Sequence, residues 1–241
     1  MEFWFRWPAL VIAALCAAAA AAAHSAPTCS LRSGEAGFIA DYTSASDRQQ
    51  YLYLVEIGHF TDSVRNLKRG SSGYPVAPDI SYTLDHFPNH HQALDAASRL
   101  SIMMKTPQPR GLRCSVEGWF VRAMEFKPDD AVVRMTYGIH FYREKKLDKA
   151  VEQFEQAEKL APENINLAYN LGLVYYDLKD YAKAMAYADR AYSADFPLDG
   201  LKKKLMKAGK WVEPRRAESR PEKSRNEPST VAEPAPAESK Q

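Results

Sequence analysis

The chain has 241 residues, and its 32 Lys and Arg nearly balance its 30 Asp and Glu, for a formal net charge of +2. The first 25 residues are almost entirely apolar and the last 32 are rich in proline and charge. The remaining 184 residues suffice for one domain with a real core, which excludes a large multidomain enzyme. Because charges of both signs are interspersed, the chain lacks the sustained basic field that drives non-specific binding to nucleic acid, and no nucleic-acid partner is predicted.

Residues 1–25 have the pattern of a secretory signal peptide. Arg6 precedes fifteen apolar residues from Ala9 to Ala23, and small residues follow them. This apolar run is shorter than the roughly 20 residues that span a bilayer. Cleavage near Ala23 to Ser25 predicts a periplasmic or secreted protein with no membrane span after cleavage, and an uncleaved membrane anchor is the alternative.

The cysteines follow from the predicted export. Removal of residues 1–25 removes Cys16 and leaves Cys29 and Cys114 in an oxidising compartment, where two remaining thiols are expected to pair. A nucleophilic or redox thiol is the alternative, but it would need a neighbouring base or a Cys-x-x-Cys spacing, and the sequence offers neither. We interpret Cys29 and Cys114 as a structural disulfide.

Residues 26–78 give the weakest signals of the predicted folded region. The segment 51–57, with sequence YLYLVEI, predicts a short strand, and Thr61 to Arg69 predicts a short helix with Thr61 as its cap and Gly70 after its end. The rest is predicted to be irregular. We expect this segment to pack as an N-terminal cap against the helices that follow it.

His86, His90 and His91 form the cluster that most suggests chemistry. Two histidines four residues apart can share a helix face and bind a metal ion, but Pro88 lies between these two. No recognisable ligand set is completed nearby, and motifs for phosphate binding or for serine or zinc hydrolases are missing. We therefore predict capping and interhelix hydrogen bonds for these histidines, with no catalytic residue, metal or cofactor, and keep a metal- or cofactor-dependent enzyme as the alternative.

The sequence matches itself with a period of 34 residues, since segment 131–164 aligns with segment 165–198. Small and large residues recur at equivalent positions: Gly138 with Gly172, Phe141 with Tyr175, Leu147 with Tyr181, Ala150 with Ala184, and Ala157 with Ala191. A small residue lets two helices approach closely, and a large neighbour fills the space beside it. Each unit is thus predicted to be a helix hairpin that must stack on a neighbour to be stable.

With these positions the segment resembles the tetratricopeptide repeat family, whose units end their second helix with a proline such as Pro162. Trp119 to Pro128 and Tyr82 to Pro88 are similar to second helices of earlier units, although the turn at 105–113 is longer than usual. The resemblance implies an all-α fold, a short solenoid of helix hairpins over residues 79–209. The segments 82–100, 105–111 and 196–211 are further similar to a group of exported proteobacterial members.

The repeats are followed by a predicted capping helix at 199–209 and a tail at 210–241. Leu201, Leu205 and Ala208 form one apolar stripe, which predicts a polar capping helix that ends the array, with a basic membrane-surface helix as the alternative. The tail contains Pro, Glu, Lys, Arg and Ser and too few apolar residues to order itself, so it is predicted to be disordered.

In this family the first helices of successive units line a concave groove that binds peptides. Carried over position by position, the resemblance implies these groove residues: Val132, Met135, Ile139, Tyr142, Asn166, Tyr169, Asn170, Leu173 and Tyr176. The set lacks the lysines with which chaperone-binding members hold a C-terminal carboxylate, and the alternative is that some of these residues are ordinary core. The implied function is an exported protein-protein interaction module, a scaffold or assembly factor that binds a peptide segment, and no enzyme.

Overall fold

The computed structural model describes Cys29, residues 37–71, Gly73 and residues 75–213. The predicted signal peptide and nearly all of the predicted tail lie outside these residues. The described part is helical and contains no strand, which confirms the predicted all-α class. In chain order the helices are α1 (Ala45–Asp47), a π turn (Arg48–Leu52), α2 (Tyr53–His59), α3 (Asp62–Arg65), α4 (Ala77–His86), α5 (His91–Met104), α6 (Val116–Phe126), α7 (Ala131–Arg143), α8 (Leu147–Leu160), α9 (Ile165–Asp177), α10 (Tyr181–Ser193) and α11 (Gly200–Lys207).

Consecutive helices pack as antiparallel pairs, which confirms the predicted solenoid. The pairs α7–α8 and α9–α10 have the most extensive contacts, and α5–α6 precedes them. The first helices α5, α7 and α9 begin alike, because each begins three residues after a proline and a cap side chain accepts hydrogen bonds from first-turn backbone N–H groups. These cap residues are His90, Asp130 and Asn164.

The same three helices also end alike. Lys105, Lys145 and Lys179 follow their last turns in the left-handed conformation, with φ of 52°, 63° and 65°. The next backbone N–H groups then reach back into the helix, as from Lys146 to the Phe141 carbonyl at 2.9 Å, which satisfies carbonyls that the helix leaves free. Left-handed backbone is uncommon for a residue other than glycine, so these three lysines stand at conformationally unusual positions.

The two clear repeats differ in the side chain that packs against the glycine of their first helix. A Cβ on Gly138 would lie 2.5 Å from the Phe154 ring, so glycine lets α7 and α8 meet there. In the next repeat Ala188 replaces that phenylalanine, and a Cβ on Gly172 would instead meet Leu201 of α11. Helix α11 thus completes the second repeat.

The N-terminal segment departs from the sequence-based expectation. The strand predicted at 51–57 is wrong, because these residues lie in the π turn and α2, and much of the segment predicted to be irregular is helical in α1 to α3. The aromatic and aliphatic residues that favour a strand do not alternate between inside and outside, since Val55 is buried while Tyr53, Leu54 and Ile57 are 58–69% exposed. The helix predicted after Thr61 is present but ends at Arg65, and the Thr61 side chain makes no capping hydrogen bond.

This segment packs against α4 and α5. Ala40 donates a backbone hydrogen bond of 2.8 Å to the His86 carbonyl, and Ala40, Val55 and Phe87 form a small buried cluster. Cys29 is joined to Cys114 by a disulfide, with the Cα atoms 5.6 Å apart. The first described residues are thereby attached to the start of α6.

Among the helices of the described part, none is long and apolar enough to cross a membrane.

Candidate peptide-binding groove

The residues expected to line a groove lie on α7 and α9, which run side by side in successive repeats. Asn166 is exposed and the other eight are partly exposed, so none of the nine is fully buried. Six of them also pack partly against the hydrophobic core: Met135, Ile139, Tyr142, Tyr169, Leu173 and Tyr176. These six side chains therefore contribute both to the core and to the surface between the two helices.

Tyr142 belongs to a hydrogen-bonded chain that ends in the capping helix. Its hydroxyl donates to Asp177 Oδ2 at 2.6 Å, Lys204 Nζ donates to Asp177 Oδ1 at 2.8 Å, and Lys204 Nζ lies 5.1 Å from the ring centroid of Tyr176. Burial opposes ionisation of Asp177, but the hydrogen bonds from Lys204 and Tyr142 outweigh it and lower the pKa of this carboxyl. Burial and the bond to Asp177 raise the pKa of Tyr142. The Tyr142 ring is thus held in place by a hydrogen bond to a carboxylate that is itself paired with Lys204.

The loop before α11 closes one end of this surface. The ring of Phe196 lies 4.6 Å from that of Tyr169, centroid to centroid. The Tyr169 hydroxyl passes so close to Gly200 that a Cβ there would lie 2.7 Å from it. The Asn170 amide donates to the Asn166 carbonyl one turn earlier, at 2.8 Å. The open part of the groove is therefore at Met135, Ile139, Tyr142, Leu173 and Tyr176.

Helix α5 supplies charged residues beside α7 that the sequence analysis missed. Asp95 accepts from Arg99 Nε at 2.7 Å and pairs with Arg143 Nη1 at 2.8 Å, and Arg143 Nη1 also donates to Ser98 Oγ at 3.0 Å. The 34-residue period does not reach α5, because the long turn before α6 shifts the register. The distance of 40 residues between Pro88 and Pro128, each before a capped first helix, is the signal that could have located them.

The three histidines singled out from the sequence take separate partners. His86 Nδ1 lies 3.1 Å from the Phe38 carbonyl, His90 Nε2 lies 3.2 Å from Glu56 Oε1, and His91 Nε2 lies 2.8 Å from Asp130 Oδ2. His90 also caps α5 by accepting from the Ala93 N–H at 3.2 Å, and burial lowers its pKa. Each imidazole thus joins a helix end to another segment.

Within the described residues, the His and carboxylate group with the spacing of a metal site is Glu117, His140 and Glu144, whose potential ligand atoms lie within 4.8 Å of one another. Lys146 Nζ lies 2.7 Å from Glu144 Oε2 and 3.4 Å from Glu117 Oε1, so an ammonium group already supplies the positive charge there. His140 Nδ1 lies 3.1 Å from Ser98 Oγ, but both side chains are buried, so this serine is not accessible to a substrate. The arrangement is suited to ion pairing between α6 and α7.

Comparison with known proteins places the repeats in a family. Residues 136–199 match a family model described as tetratricopeptide repeat. The chain has no match among curated proteins. The matched stretch runs from α7 through α10, which are the helices with the most extensive pairwise packing. The family is generally a non-catalytic interaction fold, and no membrane-spanning helix occurs in the residues that the structure describes. From this match and from the packing of the helix hairpins, residues 136–199 are tetratricopeptide repeats.

Proposed function

We propose that this chain is an exported interaction module, a scaffold or assembly factor that binds an apolar or aromatic segment of a partner protein between α7 and α9. The observation that carries the proposal is the row of partly exposed apolar side chains contributed by both helices. A solenoid of this kind offers such a row as an extended surface for a peptide. Export is supported by the sequence of residues 1–25 and by the Cys29–Cys114 disulfide, since such bonds persist in oxidising compartments.

At Tyr142 the partner meets the ring more than the hydroxyl. The Tyr142 hydroxyl is already donated to Asp177, and the cation of Lys204 lies over the Tyr176 ring. Both rings are therefore held before a partner arrives, so little side-chain entropy is lost when it binds. Beside them, Arg143 and Arg99 share one carboxylate, that of Asp95, which leaves a net positive charge at the α5 side of the groove.

Selection of peptides on the purified chain tests this function. The selected sequences should contain aromatic or branched apolar residues. Tyr142→Ala and Tyr176→Ala should each weaken binding of the best peptide by more than about 1 kcal/mol, roughly five-fold in affinity, as expected for a central aromatic contact. Tyr142→Phe, which keeps the ring, should bind nearly as well as the wild type.

Met185→Ala is the matched control, because Met185 is a partly buried apolar residue on α10, outside the groove. It should leave peptide affinity unchanged. Peptides that bind all these variants equally would place the site elsewhere, and failure to select any peptide would remove the proposal.

A further inference from the structure

The two edges of the solenoid differ in charge. At one edge the first helices end and the second helices begin. This basic edge consists of segments 105–115, 144–149, 178–183 and 204–210, which contain eleven Lys and Arg and three Asp and Glu. At the other, acidic edge lie segments 87–91, 127–131, 161–165 and 194–200, with one Lys and five Asp and Glu. The fold thus separates charges that are interspersed along the sequence.

Helix capping does not account for this separation. The helix macrodipole favours acidic residues at helix N-termini and basic residues at helix C-termini. Each edge, however, holds one N-terminus and one C-terminus for every helix pair. Capping alone would place both signs at both edges, so the excess of cations on one edge calls for another explanation.

The cations at the basic edge are also largely unused within the fold. Seven exposed ones make no ion pair with a carboxylate of the described residues: Lys105, Arg110, Lys145, Lys149, Lys179, Lys207 and Lys210. Some lie over aromatic rings instead, as Lys145 does over Tyr142 at 5.5 Å and Lys149 over Phe141 at 5.2 Å. These groups keep their charge available to an anionic partner.

Three of these cations occupy the left-handed positions that end α5, α7 and α9. Glycine fits such a position without the steric cost that a side chain meets. Lys105, Lys145 and Lys179 therefore have no conformational advantage there, although they recur at the same place in three successive units. Their charge is the property that they share, and the stacking of units arranges them in one row.

Exposed apolar side chains lie among these cations. Met103 and Met104 precede Lys105 and are 57% and 55% exposed, Leu178 precedes Lys179 at 38%, and Met206 precedes Lys207 at 56%. Lys179 and Lys210 also line a surface cleft of about 520 Å³, together with Asp180, whose carboxylate accepts a hydrogen bond from the Lys183 backbone N–H at 3.1 Å. An anionic surface with an apolar interior matches this combination, because headgroups can meet the cations while methionine and leucine enter the region beneath them.

We propose that the basic edge docks on a bilayer that contains anionic phospholipid. The side chains of Met103, Met104, Leu178 and Met206 enter the boundary between headgroups and acyl chains, and Lys179 and Lys210 flank one phosphate headgroup. The acidic edge is repelled and faces away from the bilayer. Because the first helices run from the acidic edge to the basic edge, they stand upright on the membrane, and the groove between α7 and α9 remains open at the side.

Sedimentation of the whole chain with lipid vesicles tests this docking. The chain should bind vesicles of phosphatidylcholine containing about one third phosphatidylglycerol, and should not bind phosphatidylcholine alone. The double variant Lys145→Glu/Lys179→Glu should weaken binding by about 25-fold or more, since each lysine near an anionic surface is worth about five-fold.

Lys68→Glu/Lys159→Glu is the matched control, because both lysines are exposed and lie outside the basic edge, while the change in net charge is the same. This control should bind nearly as well as the wild type. A second variant, Lys145→Gly/Lys179→Gly, keeps the left-handed turns and should remain folded by circular dichroism while losing vesicle binding. The proposal would be overturned if the edge variant and the control lost vesicle binding equally. It would also be overturned if the wild-type protein did not bind anionic vesicles.

Substitution of the exposed apolar side chains distinguishes binding to a bilayer from binding to a soluble acidic protein. Met103→Ser/Met104→Ser should weaken binding to anionic vesicles several-fold, because insertion of apolar side chains contributes to it. If polyglutamate binds as tightly as the vesicles and the methionine variant has no effect on either, the edge recognises an acidic protein and the lipid proposal is wrong.

Discussion

The repeat region from α7 to α11 and the N-terminal region from residue 37 to α5 are held together by different contacts. In the repeat region, small residues meet large apolar ones, as Gly138 meets Phe154. In the N-terminal region the buried junction also contains polar contacts, since Asn89 donates to Asp41 at 2.8 Å and to Asp130 at 3.1 Å, and His90 bridges to Glu56. The periodic contacts can therefore be identified from the sequence and depend little on pH, whereas the polar contacts require their partners and respond to protonation.

The largest expected effect comes from removal of the disulfide, which should destabilise the N-terminal region more than the repeat region. Cys29→Ser should lower the free energy of unfolding by about 4 kcal/mol, because the bond closes a loop with a sequence separation of 85 residues. Hydrogen exchange should show faster opening of α2 to α5 while α7 to α10 keep their protection. Mass spectrometry without reductant should find the two cysteines linked in the wild type, and two free thiols in folded protein would contradict the structure here.

The next largest effect is expected from a substitution at the closest helix-helix contact of the repeat region. Gly138→Leu should cost about 3 kcal/mol of unfolding free energy in urea titrations, because the new side chain must displace Phe154 from a fully buried position. Gly58→Leu is the control, since Gly58 lies on α2 with no atom within 4 Å of a Cβ there. Equal destabilisation by the two variants would show that the α7–α8 contact is not the tight one.

A smaller effect, on acidification, should fall first on the N-terminal region. Burial opposes ionisation of Asp41 and Asp130, but hydrogen bonds lower the pKa of both, and the bond from His90 lowers the pKa of Glu56. Carboxyls with a lowered pKa stabilise the fold above their ordinary values near pH 4 and lose this contribution as pH falls through the lowered values. His90, neutral when buried, stabilises the fold above about pH 6.5 and loses this contribution as pH falls.

Hydrogen exchange between pH 7 and pH 4 checks this order of opening. Amides of α4 and α5 should lose protection before those of α8 and α10. The repeat region responds too, because burial lowers the pKa of His140 and hydrogen bonds lower that of Asp177. His90→Asn should flatten the pH dependence, since Asn164 shows that an asparagine caps the equivalent helix without titrating. Uniform loss of protection across all helices would erase the distinction between the two regions.

The smallest effect concerns the groove tyrosines. Tyr142→Phe should cost about 1 kcal/mol, because it removes one hydrogen bond to a carboxylate and leaves the ring. Tyr176→Phe should change the unfolding free energy by less than about 0.5 kcal/mol, since its hydroxyl has no hydrogen-bond partner among the described residues. If the two variants prove equally stable, the bond to Asp177 does not anchor the groove.

The sequence predicts the parts of this molecule whose contacts repeat. The 34-residue period correctly locates α7 to α10, and the stripe containing Leu201 and Leu205 correctly predicts α11. It does not predict α1 to α3, because their fold depends on burial against α4 and α5, and aromatic and aliphatic residues there favour a strand when considered alone. The charge separation between the edges is equally hidden, since it arises only when turns far apart in the sequence are stacked.

For the groove, the predicted residues of α7 and α9 lie on partly exposed surface, but the partners of their polar groups were not predictable. The bond from Tyr142 to Asp177 and the cation of Lys204 join residues from three helices at a distance that no local pattern encodes. The contribution of α5 was missed because the long turn before α6 breaks the period. Spacing between capping prolines is the more robust guide where a turn varies in length.

Helix α11 is in register with the repeats. Leu201 and Leu205 lie 34 residues after Leu167 and Leu171, and all four are buried. The helix thus occupies the place of the first helix of a unit that would follow α9 and α10, and no second helix follows it within the described residues, which end at Glu213. An extra copy of residues 165–198 inserted before residue 199 should therefore lengthen the solenoid without a new interface, because the inserted Leu167 would meet Gly172 where Leu201 does now.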